Sequence, residues 1–177
     1  MFTHKFLSLI AFLLCLTMIW QCRDFNGDRK DRGNGQIRLN LEERGKLMYR
    51  EGLAINGSGD KVGYVDEAGK FVIAPTFDFA TLFCESLAAV RVGEKWGFID
   101  KTGKMIIPLQ FDSATGFTEG MAAVKIGSKW GYIDRRGNLV FKPAFDEALK
   151  FENGLARVRV GETWTVIDKS GMTRTMK

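Results

Sequence analysis

Three tryptophans, Trp96, Trp130 and Trp164, recur at intervals of 34 residues, and so do the basic residues Arg91, Lys125 and Arg159. Exposed indole rings bind sugars and peptides. Buried ones fill β cores, where aromatic side chains dominate the packing. A glycine follows Trp96 and Trp130 and permits close approach, so packing is the first reading of these rings. If the repeated units stack in register, Arg91, Lys125 and Arg159 form a basic row able to attract an anionic surface. Long cationic side chains also occupy ordinary solvated strand faces. These six residues are the candidate binding residues of the chain.

Other reactive types point less far. Asp66, Asp100, Asp134 and Asp168 recur in a D-x-x-G pattern, but the D-x-D-x-D-G spacing of a calcium loop is missing. Such an aspartate opens a turn by accepting from its own backbone two residues on. The single histidine is His4, close to the N-terminus. Histidine-based catalysis and histidine-based metal binding are therefore not expected in a folded domain further on. Cys84 has Thr118 and Glu152 as counterparts, and nothing nearby suggests an activated thiol. Glu85 and Glu119 fall in different connecting segments. A catalytic site needs unlike groups converging on one point, whereas here the polar residues recur in step. No catalytic residue, metal site or cofactor is expected.

The elements that must position these residues are repeats. In 177 residues, 26 Lys and Arg stand against 21 Asp and Glu, a net charge of +5. Acids and bases interleave, so no nucleic-acid partner is implied. Many of the 20 glycines recur at fixed repeat positions, as turn residues do. Lys5 precedes a largely apolar run, Phe6–Trp20, which reads as an export signal and is short for a spanning helix. Gln21-Cys22 follows, and a cysteine at that place resembles a bacterial lipoprotein signal, with Cys22 as the lipidated first residue. Trp20 and Gln21 are bulkier than the usual residues there, so cleaved secretion and an uncleaved short anchor stay open. Residues 1–22 are thus read as the signal. Residues 23–50 form a charged, glycine-rich tether with an irregular lead-in, and 51–177 form the folded domain.

Within that domain, Lys95-Trp96-Gly97-Phe98-Ile99-Asp100 predicts a strand. Asp100 to Gly103 predicts a turn. Met105-Ile106-Ile107 predicts a strand buried on both faces. Ala122 to Ile126 alternates, with Val124 and Ile126 inward and Lys125 outward. Gly127-Ser128, like Gly59-Asp60, Gly93-Glu94 and Gly161-Glu162, predicts a two-residue type II′ hairpin. The folding unit is then a three-stranded antiparallel meander, four in all: Leu53–Ile73, Leu87–Ile107, Met121–Phe141 and Leu155 to about Thr173. The connectors Ala74–Ser86, Pro108–Gly120 and Lys142–Gly154 each place a proline at a strand end. Each also has an aspartate (Asp78, Asp112 or Asp146) suited to cap one helical turn, and a phenylalanine plug (Phe83, Phe117 or Phe151). The fold class is all-β: tandem 34-residue repeats in a curved array that either stays open or closes like a propeller.

The sequence Lys-Trp-Gly-aromatic-Ile-Asp-x-x-Gly at Lys95 and Lys129, followed by Phe-Asp-x-Ala-x-x-Phe and Glu-Gly-Met-Ala-Ala-Val, resembles the WG, or KWG, repeat family of bacteria. The resemblance covers Leu53 to about Met172. Val62 replaces the tryptophan in the first copy, and Trp164-Thr165 replaces Trp-Gly in the last. It implies β-rich repeats in exported or multi-domain proteins and supplies no catalytic residues. The functional expectation is an exported, envelope-associated, non-catalytic scaffold binding a protein or polysaccharide partner and held at the membrane by its N-terminus. A carbohydrate-binding accessory module and an enzyme of unrecognised class are the alternatives.

Overall fold

The computed structural model describes residues 48–174. The expected export signal with His4 and Cys22, and the tether through residue 47, lie outside the described residues. Aromatic and β-branched runs separated by glycine turns form strands, and the described residues contain no helix. Four antiparallel sheets follow one another along the chain. The first contains β1 (Ala54–Ser58), β2 (Lys61–Val65) and β3 (Phe71–Phe77) in sequential order. The second contains β4 (Phe79–Ala80), β5 (Leu87–Val92), β6 (Lys95–Asp100) and β7 (Met105–Phe111). The third repeats this as β8 (Ser113–Ala114), β9 (Met121–Ile126), β10 (Lys129–Asp134) and β11 (Leu139–Phe145). The fourth is β12 (Glu147–Ala148), β13 (Leu155–Val160), β14 (Thr163–Asp168) and β15 (Thr173–Arg174).

The three-stranded meander is therefore the core of each sheet, and the connector adds a short further strand to the second, third and fourth. The hairpin glycines Gly59, Gly93, Gly127 and Gly161 have φ of 59° to 65°, and the residue after each does not. Val92 faces Lys95 across the turn. Both features fit a two-residue type II′ loop. In the D-x-x-G turn the Gly103 N–H donates to the Asp100 carbonyl at 2.9 Å, with φ 85° at the glycine.

The sheets stack face to face, and each interface is one hydrophobic cluster. Tyr64, Ile73 and Phe77 meet Phe83, Ala88, Val90 and Ile99. Phe98, Ile107 and Phe111 meet Phe117, Ala122, Val124 and Ile133. Ala123 and Tyr132 meet Phe151, Ala156, Val158 and Ile167. The plugs Phe83, Phe117 and Phe151 are buried, and each contributes about 1.5–3 kcal/mol to joining neighbouring sheets. The clusters link consecutive sheets, and among the described residues no barrel is closed.

Four expectations are corrected. The connector aspartates cap no helical turn. The Asp78 N–H donates to the Arg91 carbonyl and the Thr81 N–H to the Ala89 carbonyl, so the connector satisfies its backbone by pairing with β5. The prolines lie inside β3, β7 and β11 rather than at strand ends. Trp96 faces Phe111 and Phe98 faces Ile107, so three residues of β6 span five of β7. Pro108 sits in the resulting bulge, where the missing N–H breaks no ladder bond.

The strand Met105-Ile106-Ile107 is not buried on both faces. Ile107 is buried but Ile106 is 39% exposed, because β7 is the edge of its sheet. Conversely, Met121 to Val124 is buried on both faces, between the sheets before and behind, while Ile126 at the hairpin end is 41% exposed. The inward–outward alternation expected for Val124, Lys125 and Ile126 therefore does not hold.

Candidate binding surface

The tryptophans and the basic row, separate features of the sequence, meet in the fold. Arg91 and Trp96 are directly opposed on β5 and β6, Lys125 and Trp130 on β9 and β10, and Arg159 and Trp164 on β13 and β14. The short connector strand extends each row with Phe79, Ser113 or Glu147. The three rows are in register but chemically unlike. The Arg91 guanidinium lies 6.0 Å from the centre of the Phe79 ring, which meets Trp96 edge-on with centroids 5.5 Å apart. Arg159 donates to Glu147 Oε1 at 2.7 Å and to the Gly161 carbonyl at 2.6 Å. The row is not a uniform cationic strip.

Trp96 and Trp130 are half-buried and pack against the clusters between sheets. Trp164 differs: it is 38% exposed, and the Arg157 guanidinium lies over its ring at 5.2 Å. Arg157 escaped the sequence reading. The signal was present in the aligned copies, where its counterparts Ala89 and Ala123 are buried alanines.

The glycine of each Trp-Gly pair has a steric cause. A Cβ on Gly97 would stand 2.6 Å from the Ile107 carbonyl oxygen and 2.9 Å from the Leu109 nitrogen. One on Gly131 would meet the Phe141 carbonyl oxygen at 2.5 Å. The proline bulge crosses directly over the glycine. In the fourth sheet, among the described residues, β15 pairs with Val166 and Ile167, and Thr165 stands where the other copies have glycine.

The repeated acids join one unit to the next. Asp78 accepts from Lys61 Nζ at 2.6 Å with Oδ1, and from the Gly93 N–H of the next hairpin at 2.7 Å with Oδ2. Asp112 bridges Lys95 and Gly127, and Asp146 bridges Lys129 and Gly161, in the same way. The lysine bond, and then the glycine N–H, hold all three carboxyls below the ordinary aspartate range.

A second ladder runs through the connector turns. The carboxylates of Glu51, Glu85 and Glu119 accept from the N–H groups of Ser86, Gly120 and Gly154. Lys101, Arg135 and Lys169 donate to the carbonyls of the same three glutamates. Glu85 and Glu119 thus do not converge on each other. The turn aspartates also face inward: Asp100 Oδ1 accepts from the Thr102 N–H, the Thr102 hydroxyl and the Lys104 N–H. Among the described residues, no group of three or more His, Cys, Asp or Glu side chains is placed to hold a metal ion.

Tyr64 and Tyr132 donate to the carbonyls of Thr81 and Leu149 at 2.7 and 2.6 Å. Burial pushes both phenols far above their ordinary range. Cys84, half-buried, pairs its backbone with Leu87 in an isolated bridge.

Stacked small sheets whose junctions repeat one set of contacts define a tandem β-repeat protein. The WG containing repeat matches residues 63–96, 96–130 and 130–164, more than half of the sequence, and the chain belongs to this family. A comparison with curated proteins gave no match.

Proposed function

We propose that the chain is a non-catalytic repeat scaffold, exported and held at the cell envelope, that binds a protein or polymer partner. The observation that carries this reading is the use of the repeated polar groups. The lysines, aspartates and glutamates of the repeat bond to neighbouring units, so the groups that chemistry would need are engaged in holding the stack together. What the stack offers outward is surface. The apolar run before Cys22 supports export, and a lipid on Cys22 would hold the domain at a membrane through the tether.

A test is expression of the full chain with a fatty-acid analogue, beside Cys22→Ser. The wild type should be labelled and membrane-associated, and the variant unlabelled. Equal labelling would overturn the lipid anchor, and turnover abolished by a point mutation in the repeats would overturn the non-catalytic reading. A second reading, a carbohydrate-binding module, is favoured by one specific difference: Trp164 is exposed where Trp96 and Trp130 are packed between sheets. A sugar ligand should shift tryptophan emission in the wild type and not in Trp164→Phe.

A further inference from the structure

The outer face of the fourth sheet is where the repeat symmetry breaks. In the second and third sheets the corresponding face packs on the next unit, through Leu87, Ala89, Phe98 and Trp96, or Met121, Ala123, Tyr132 and Trp130. On the fourth sheet these positions hold Leu155, Arg157, Val166 and Trp164. Leu155, Arg157 and Trp164 are exposed there. A buried alanine has become an arginine, and its charge makes no ion pair among the described residues. Arg159, two residues on, faces the same side of the strand, but its charge is matched by Glu147 at 2.7 Å. The face therefore carries one unmatched guanidinium, laid over an indole.

That geometry is a receptor for an oxyanion. A guanidinium held over a tryptophan ring keeps the N–H groups directed away from the ring available, and the ring restricts its motion. A carboxylate accepts two parallel bonds from such a fork. Among the described residues β15 joins β14 only at Val166 and Ile167, so a peptide strand is the competing occupant, and the polyglutamate arm of the test below separates it from a polysaccharide. A pyranose bearing a carboxylate presents a charged edge to Arg157 and an apolar ring face to Leu155 and the exposed margin of Trp164.

We propose that the outer face of the fourth sheet, centred on Arg157 and Trp164, binds the carboxylates of an acidic polysaccharide. This rests on the scaffold reading and names its ligand class and place. The test is titration of the full-length chain with polygalacturonate, dextran and polyglutamate, followed by tryptophan emission and calorimetry. Variants are Arg157→Ala, which installs the residue of the second and third copies, Arg157→Gln, and Lys104→Ala, which removes an exposed charge from a turn next to the β7 edge.

Polygalacturonate should bind and dextran should not. Arg157→Ala and Arg157→Gln should each weaken binding at least tenfold, and Lys104→Ala less than twofold. Equal losses for Arg157→Ala and Lys104→Ala would show charge attraction without a site and overturn the proposal. So would an absence of binding, or tighter binding of polyglutamate, which would mark an acidic protein as the partner. A partner captured equally by the wild type and Arg157→Ala would overturn this face while leaving the scaffold reading intact.

Discussion

The junction between the third and fourth sheets and the outer face of the fourth are built from the same repeat positions filled by different residues. Where one unit packs on the next, the positions hold alanine, glycine, lysine and glutamate: Ala123, Gly131, Lys129 and Glu119. On the fourth sheet they hold Arg157, Thr165, Thr163 and Asn153. Three of the changes, at Ala123, Lys129 and Glu119, fall on residues that reach towards a following unit, and the fourth falls on the glycine beneath the bulge of its own sheet. Phe151, Ala156, Val158 and Ile167 keep the types found in earlier copies and are buried against the third sheet. The motif alanine, lysine and glutamate are therefore junction residues, and the motif glycine serves its own sheet. Asn153 keeps the positive φ of Glu51, Glu85 and Glu119, at 53°, so the turn survives although the forward-reaching carboxylate is gone.

The comparison breaks most visibly at the plugs. Phe117 is fully buried between the second and third sheets, packed on Phe98 with ring centroids 4.8 Å apart. Phe117→Ala should cost about 3–5 kcal/mol. Trp164→Ala, at the exposed face, should cost less than about 1.5 kcal/mol despite removing a larger ring. Denaturant midpoints at constant slope measure both. Equal losses would mean that the fourth sheet's outer face is as tightly built as a junction.

A smaller effect sharpens the role of the Trp-Gly glycine. Gly131→Ala forces a methyl against the backbone of the bulge and should cost about 1–3 kcal/mol. Thr165→Ala should change stability by less than about 1 kcal/mol, since the position already carries a Cβ and the substitution only trims it. If the two substitutions were equally costly, the glycine would owe its place to something other than the crossing strand.

Much of this is legible in the sequence. Hairpins and D-x-x-G turns depend on local backbone geometry, and their glycines announce it. The phenylalanine plugs were legible from size and spacing alone. The proline bulges were not, because Pro108 looks like a strand end until the register with Trp96 and Phe98 is known. The burial of the third strand was misjudged for a related reason: Ile106 is apolar, but strand order puts β7 at an edge. The two acid ladders depend on residues 15, 17 and 35 positions apart meeting across the stack, which the type of Asp78 or Glu85 does not reveal. The repeat pattern begins before residue 51. Tyr49 stands in phase with Phe83, Phe117 and Phe151, and the Arg50–Leu53 bridge repeats those at Cys84, Thr118 and Glu152.

The smallest expected effect concerns acid. Asp78, Asp112 and Asp146 each join two units, and their lysine and glycine partners hold them below the usual aspartate range. Such a carboxylate binds a proton more weakly in the folded chain than in the unfolded one, whose value is about 3.9. Its contribution is therefore fully present above pH of about 4 and drains away as pH falls through the lowered folded value. The fourth copy has Thr163 where the others have lysine, so the effect belongs to the three junctions alone. These groups are exposed and screened by salt, so the contribution should be modest. Denaturant midpoints of the wild type and of the triple variant Asp78→Asn, Asp112→Asn, Asp146→Asn, followed from pH 6 to pH 2, isolate it. The wild type should be the more stable at pH 6, and the gap should narrow below pH of about 4. Raising ionic strength at pH 6 should narrow it as well. A gap that persists unchanged at pH 2 would assign the difference to packing around the asparagines and leave the clamps without an electrostatic role.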